Sequence, residues 1–239
     1  MKVLIQDGEK FFVKDDTKDY HTKFGYIKAK DLKKAGIEVE TNLGKKFAVI
    51  QPSFVDFYEK IKRGPQIIPL KDIGSIIAET GINKTSKVVD AGTGSGALAL
   101  MLAYLAKEVT SYEIREDFYR IALSNKEFIG LKNLKLKNKD VYLGIEEKNV
   151  DVVTLDLPEP WKAIAPAQEA LKVGGFLVSY SPTIPQVMDF VSALKQNPAF
   201  VCLKTIEILE REWEADERKV RPMSQQIGHS GFLTFVRRI

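Results

Sequence analysis

From residue 70 to residue 196 the sequence alternates short β-branched runs with longer segments of helical periodicity. That alternation constrains the fold more than any other feature. "KDIGSIIAETGI" reads as a helix, "KVVDA" as a first strand, "SGALALMLAYLAK" as a helix and "EVTSYE" as a second strand. A helix over 117–129 and strands at "NLKLKN" and "VDVVTLD" follow. Then come a helix at "WKAIAPAQEALK", a fifth strand at "GGFLVSYS" and a helix at "IPQVMDFVSALKQ". Parallel strands need long crossovers, which helices supply, so repeated β-α units predict a parallel sheet with helices on both faces. Two strands close the chain, at about 200–211 and 228–238, with the charged "EREWEADERKVRP" between them. With no intervening helix, they are expected to form a terminal antiparallel hairpin.

The first 52 residues have a different rhythm. "KVLIQDG", "KFFVKDD", "KAGIEVET" and "KKFAVIQP" are short strand-like runs divided by turn signals, and "SFVDFYEKIKRGPQ" at 53–66 is a short helix or connector. The chain is therefore expected to divide into a small β-rich domain and connector over 1–64 and an α/β body over 65–239. Charge divides the same way. Residues 1–64 carry 14 Lys+Arg against 10 Asp+Glu, while the remainder carries 22 of each. A basic appendage on a neutral body fits an anionic partner such as nucleic acid, or else a solvated surface with no partner.

Composition narrows the class further. The longest apolar run, "ALALMLAYLA" at 97–106, is about half of what a bilayer-spanning helix needs. The start, "MKVLIQDGEK", lacks the apolar core of a secretory signal. One cysteine, Cys202, cannot close an internal disulfide, and two histidines give no zinc spacing. The expectation is a soluble, cytoplasmic protein without membrane contact or structural metal. Cys202 lies in an apolar run and reads as a small core residue.

"VVDAGTGSGALAL" sets Gly92, Gly94 and Gly96, with Ser95 and Ala97, between the first strand and its helix. Glycines there permit positive φ and let a ligand approach the backbone, and the helix start offers free N–H groups. About twenty residues later Glu113 ends the second strand, where a carboxylate can accept hydrogen bonds from both hydroxyls of an adenosine ribose. Asp140 and Val141 follow the third strand. Asp140 is read either as an adenine contact or as a turn cap. Gly92, Gly94 and Ala97 also satisfy a dinucleotide fingerprint, so the loop alone leaves a nicotinamide dehydrogenase open. The fourth strand ends in "LDLPEPW", an acid at Asp156 followed by two prolines and Trp161.

These motifs together resemble the tRNA (adenine-N1)-methyltransferases, the TrmI family of bacteria and archaea, within the class I S-adenosylmethionine-dependent methyltransferases. The resemblance runs from "RGPQII..KDIG" at 63–74 through "AGTGSG" at 91–96 and "DLPEPW" at 156–161 to "RP.SQQIGHSGFLTFVRR" at 221–238. It implies a Rossmann-like methyltransferase sheet, S-adenosylmethionine as cofactor, tRNA as partner and adenine 58, in some archaea also 57, as the target. It implies a homotetramer as the usual assembly. Gly92, Gly94, Ser95, Gly96 and Ala97 would surround the methionine part, Glu113 the ribose, and Asp140 with Val141 the adenine. Gln66 and Ile67 would close over the ligand. Asp156 would face the methyl donor and serve as the catalytic carboxylate, with Trp161 as a pocket wall or as core packing. One departure stands out: an aromatic residue usually precedes Pro-Lys-Asp in this family, and here the segment is "IIPLKD".

Other residues carry two readings each. Lys135, Lys137 and Lys139 guard an edge strand or contact RNA. His229 in "GHSGF" contacts the target pocket or is a hydrogen-bonded structural histidine. Lys28, Lys30, Lys33, Lys34, Lys45 and Lys46 are candidates for phosphate contacts. A methyltransferase acting on protein or a small molecule, or a non-catalytic RNA-binding subunit, would share much of this pattern. The second would be expected to lose the glycine loop or the motif acid, and both are present.

Overall fold

The computed structural model describes residues 1–33, 36–64 and 67–239, so Lys34 and Gln66 lie outside the described residues. The chain divides into two compact units, Met1–Ile61 and Lys62–Ile239.

The N-terminal unit is built on a four-stranded antiparallel sheet in the order Glu9–Val13, Lys2–Gln6, Lys46–Ile50, Ile37–Glu40. Period-two alternation turns Leu4, Val13, Val39, Phe47 and Val49 inward, where they cluster with Ile27 and Leu32. A short hairpin, Tyr20–Thr22 with Gly25–Ile27, leads into a helical turn at Ala29–Leu32. Asp19 Oδ1 accepts the Ala29 N–H at 2.8 Å and so satisfies a donor at the start of that turn. A helix over Phe54–Tyr58 opens on a reciprocal cap, in which Asp56 Oδ2 accepts the Ser53 N–H at 2.8 Å.

Among the described residues the second unit carries a main sheet of seven strands: β1 Lys87–Ala91, β2 Glu108–Tyr112, β3 Leu134–Lys137, β4 Val150–Leu155, β5 Leu171–Ser181, β6 Phe200–Glu207 and β7 Phe232–Arg238. Its main helices are α1 Leu70–Thr80, α2 Ala97–Leu105, α3 Glu116–Ile129, α4 Ile164–Ala170 and α5 Ile184–Lys195. Strand order is β6-β7-β5-β4-β1-β2-β3. The five strands from β5 to β3 are parallel, and β7 runs antiparallel between β5 and β6. The expected closing antiparallel pair is present, with the last strand starting at Phe232. Its "EREWEADERKVRP" segment contains a further hairpin, Trp213–Asp216 with Lys219–Pro222. The fourth expected helix begins instead as a 3-10 turn at Pro160–Ala163 and becomes α-helical at Ile164. Pro160 explains the tight start, since it fixes φ and donates no N–H.

Alternation along the central strands sorts the two faces. Val89, Ala91, Val153, Leu155 and Leu177 point to one side and form a single core with Ile164, Ala167, Phe190 and Leu194 of α4 and α5. The intervening residues, Val88, Asp90, Ser111, Val152 and Thr154, are also buried, on the side where α2 and α3 pack. Buried on both faces, the strands read as near-continuous apolar runs. Glycines in the left-handed region end α1 at Gly81 and α3 at Gly130.

The edges correct one expectation. Cys202 is exposed rather than part of the core, because it lies on β6, an edge strand whose apolar run is largely uncovered. At the other edge, Lys137 is held by Glu146 and Glu147, and Lys139 by Glu146, while Lys135 stays exposed. Among the described residues no helix is long and apolar enough to cross a membrane.

Candidate active site

The carboxyl-terminal ends of β4, β1 and β2 lie side by side within the sheet, and their side chains form a row beneath the glycine loop. Thr154, Asp90 and Ser111 are register partners across β4, β1 and β2. Ser111 Oγ donates to Asp90 at 2.5 Å, Thr154 Oγ1 donates to it at 2.8 Å, and Thr93 Oγ1 lies 2.5 Å from Ser111 Oγ. Burial pushes the Asp90 carboxyl up to about 6, opposed by its two hydroxyl donors. The sequence displays Asp90 within "VVDAG", yet nothing local says that its partners come from two other strands.

Above this row the loop turns through three glycines with positive φ, at 91°, 53° and 87° for Gly92, Gly94 and Gly96. A Cβ on Gly92 would overlap the backbone carbonyl of Asp156. The backbones meet there because the Asp156 N–H donates to Ala91 O at 2.8 Å, one step beyond the last pair of β1 and β4. Around Gly94 the space a Cβ would take is open. Gly96 is the N-cap of α2, and Ala97 its first, buried residue. From α3, buried Asn125 donates to Ser95 O at 2.8 Å and holds the loop from behind.

Glu113 stands where a ribose contact was expected, just past β2, and is buried. Its two oxygens accept the N–H groups of Gly94 at 2.8 Å and Arg115 at 2.9 Å. The carboxylate is thus preorganised by backbone donors, with acceptor capacity remaining. Asp140 Oδ1 accepts the Tyr142 N–H at 2.9 Å and caps the turn Val141–Leu143, in which Val141 is buried. Beside that turn lies an open cleft of about 440 Å3 lined by Lys139, Asp140, Leu143, Gly144, Ile145 and Glu146. Ile67 is half-buried and Ile68 is buried, in the segment that lacks the family's aromatic.

Asp156 is half-buried, and its carboxylate has no hydrogen-bond partner among the described residues. Burial first, then the charges of Asp90 and Glu113, hold its carboxyl up at about 7. The rigid turn beyond it is set by a backbone hydrogen bond from Glu159 N to the Tyr142 hydroxyl at 3.3 Å. Trp161 packs against the sheet core. Tyr180, which the sequence reading missed, is buried at the end of β5. Leu155 and Ser179 are parallel partners, so Asp156 and Tyr180 follow as neighbours at the two strand ends. Burial raises the Tyr180 hydroxyl to about 12, and the charges of Asp72 and Asp156 add to the rise.

The donor set fits an adenosine-bearing ligand. Among the described residues Ser95 Oγ is buried without a partner at the loop, Gly94 has room beside it, and Glu113 follows Gly94 by 19 residues, the spacing of a ribose-binding acid. A ligand with positive charge would complement the three neighbouring acids Asp90, Glu113 and Asp156.

Comparison with known proteins agrees with this geometry. Residues 49–221 match the family described as the tRNA methyltransferase complex GCD14 subunit. The chain is 36% identical to the tRNA (adenine(57)-N(1)/adenine(58)-N(1))-methyltransferase TrmI of Methanocaldococcus jannaschii, over 99% of this chain and 94% of that protein. The crystal structure of a tRNA (m1A58) methyltransferase TrmI from Aquifex aeolicus superposes with a TM-score of 0.84 at 27% identity, covering 100% of this chain and 96% of that one. A SAM-dependent O-methyltransferase from Thermotoga maritima superposes with a TM-score of 0.88 at 31% identity, covering 100% and 92%.

The raised Asp156 carboxyl has a stability consequence with a definite sign. The folded, ligand-free protein keeps this proton up to about pH 7, whereas the unfolded chain loses it near the ordinary carboxyl value of 3.8. Its contribution is therefore full below pH 4 and is lost as pH rises through 7. Asp156→Asn does not titrate, so its stability relative to wild type should rise between pH 5 and pH 8 by about 2–3 kcal/mol. Urea unfolding at the two pH values checks this; a difference that does not grow with pH contradicts it.

Proposed function

This chain belongs to the tRNA (adenine-N1)-methyltransferase family, and from that premise we propose that it methylates N1 of adenine 58 in the T-loop of tRNA. The M. jannaschii relative is named for positions 57 and 58, which makes adenine 57 the second candidate target. The chain is a methyltransferase by family. The observation that carries the substrate reading is Asp156: a carboxylate without a partner among the described residues, at the end of β4, inside the "DLPEPW" turn and beside the glycine loop.

S-adenosylmethionine, when bound, supplies a methyl group on a sulfonium sulfur, open to in-line displacement. Glu113 would hold the ribose, Asp140 and Val141 would face the adenine, and Gly92, Gly94, Ser95, Gly96 and Ala97 would surround the methionine part. Gln66 and Ile67 complete the proposed set. Asp156 would accept a hydrogen bond from the exocyclic N6 of the target base and turn N1 toward the methyl. As N1 is methylated the ring becomes cationic, with much of the charge shared by N6. A carboxylate there strengthens its interaction as the charge develops, which accelerates the chemical step more than it tightens binding. A carboxyl poised near neutrality is also suited to accept the N6 proton afterwards.

The target base is normally buried within the tRNA elbow, so the enzyme must flip it at a cost of a few kcal/mol. Phosphate contacts help to offset that cost, and the basic N-terminal unit is the proposed source. Lys45 is paired with Asp7 and Lys46 with Glu38. Lys28, Lys30 and Lys33 make no ion pair among the described residues, which leaves them free for phosphate. We also infer a cytoplasmic homo-oligomer, a tetramer by family. β6 supports the oligomer, since it leaves Val201 and Leu203 exposed on an unpaired sheet edge.

Mapping the modified nucleotide tests the activity. Incubation with S-adenosylmethionine and a tRNA transcript should place N1-methyladenosine at position 58, read by mass spectrometry of nuclease fragments. Methylation confined to another base, or to protein or a small molecule, contradicts the reading. For the N-terminal unit, replacing Lys28, Lys30 and Lys33 by Gln should weaken tRNA binding and flatten its salt dependence, by about one unit of slope per lost phosphate contact. Changing Lys45 and Lys46 should do less. An unchanged slope in the triple variant would remove this surface from the RNA interface.

A further inference from the structure

Asp72 of "PLKD" and Ser230 of "GHSG" are 158 residues apart in the chain, and they meet inside the second unit. Lys71 Nζ lies 2.9 Å from both Asp72 carboxylate oxygens and donates to Ser230 Oγ at 2.6 Å. Ser230 Oγ in turn donates to Asp72 Oδ2 at 2.8 Å. The ion pair is buried, with the Lys71 and Asp72 side chains 11% and 1% exposed. Burying two charges costs several kcal/mol per ion, so such a pair is weak evidence for stability and better explained by what it fixes in place.

What it fixes is the segment 229–231. The Tyr180 hydroxyl donates to the Ser230 carbonyl at 2.6 Å. A Cβ at Gly231 would overlap the Tyr180 ring, so the glycine lets the ring lie against the backbone. His229 pins the same segment from its other end, with Nδ1 at 2.6 Å from Glu207 Oε1 and Nε2 at 2.8 Å from Pro182 O. The Glu207 carboxylate and then the Pro182 carbonyl raise the His229 imidazole above its ordinary value. Tyr180 sits beside Asp156, one residue past the Leu155–Ser179 pair.

We infer that Ser230 is a positioning residue. The buried Lys71–Asp72 pair fixes it, and its carbonyl holds the Tyr180 hydroxyl so that the tyrosine ring walls the acceptor side of the Asp156 pocket. The "IIPLKD" segment holds no aromatic, and the ring beside Asp156 comes from β5. The inference rests on the proposed role of Asp156 in methyl transfer.

The test is steady-state turnover with saturating tRNA and S-adenosylmethionine, together with equilibrium binding of S-adenosylhomocysteine. Ser230→Ala should lower kcat roughly 10- to 30-fold, within the ~100-fold that a small misplacement of a reacting group can cost. Its S-adenosylhomocysteine affinity should stay within about twofold, where general loosening of the fold would lower both. Ser230→Thr, which keeps the hydroxyl, should recover most of the rate. Tyr180→Phe removes the other half of the contact and leaves the Lys71–Asp72–Ser230 cluster intact. It should be similarly slow, and the double variant Ser230→Ala/Tyr180→Phe no slower than the worse single one. Wild-type kcat in either single variant, or losses that multiply in the double, overturns the inference. If Ser230→Ala does not fold, Tyr180→Phe decides alone. Failure of the underlying reading would look different: Asp156→Ala would itself react at the wild-type rate.

Discussion

The contact between Gly92 and the Asp156 backbone is the constraint on which the site depends. β1 and β4 are zipped one step past their last paired residues by the bond from Asp156 N to Ala91 O, and only a residue without Cβ fits at 92. That closeness sends the chain out of β4 directly over the glycine loop. It also places the Asp156 carboxylate near Asp90 and Glu113, whose charges it feels. Two of the three acids are compensated inside the protein: Asp90 by two hydroxyls from neighbouring strands, and Glu113 by two backbone N–H groups. Asp156 has no such compensation among the described residues.

An unsatisfied, desolvated carboxylate is costly to the folded state, and its raised pKa measures that cost. The same strain is useful to a methyltransferase. A fixed acid lacking protein donors interacts most strongly with a group whose positive charge grows during reaction, and it need not break an existing hydrogen bond to do so. Ser95 Oγ follows the same logic at the glycine loop, as a buried hydroxyl without a partner among the described residues. Strain of this kind is tolerated where surrounding elements over-determine it. Here the proline-bearing turn, the Asp90 row and the Asn125 bond behind the loop do so.

Much of this was legible in the sequence. The β-α alternation specified the central sheet, because helical and strand periodicities differ and crossovers force parallel pairing. "AGTGSG" marked the loop, since three closely spaced glycines between strand and helix announce positive φ. Glu113 and Asp156 were readable as acids at strand ends. Illegible were the relations that only register creates. Tyr180 looks like one more strand residue until β5 is aligned with β4, and Asp90 until Ser111 and Thr154 arrive from two other strands. Cys202 reads as core because its run is apolar, whereas strand order puts β6 at the edge and leaves it exposed. Asp140 and Trp161 show the plainer of their two readings, a turn cap and core packing.

The central claim is that Asp156 acts on the chemical step. Single-turnover methyl transfer, with tRNA and S-adenosylmethionine both saturating, isolates that step from binding and product release. The account predicts that Asp156→Ala binds both ligands yet reacts on the order of 10²–10³ more slowly, the magnitude of removing one preorganised electrostatic group. A wild-type rate in that variant would contradict it and leave Asp156 as a structural end to β4.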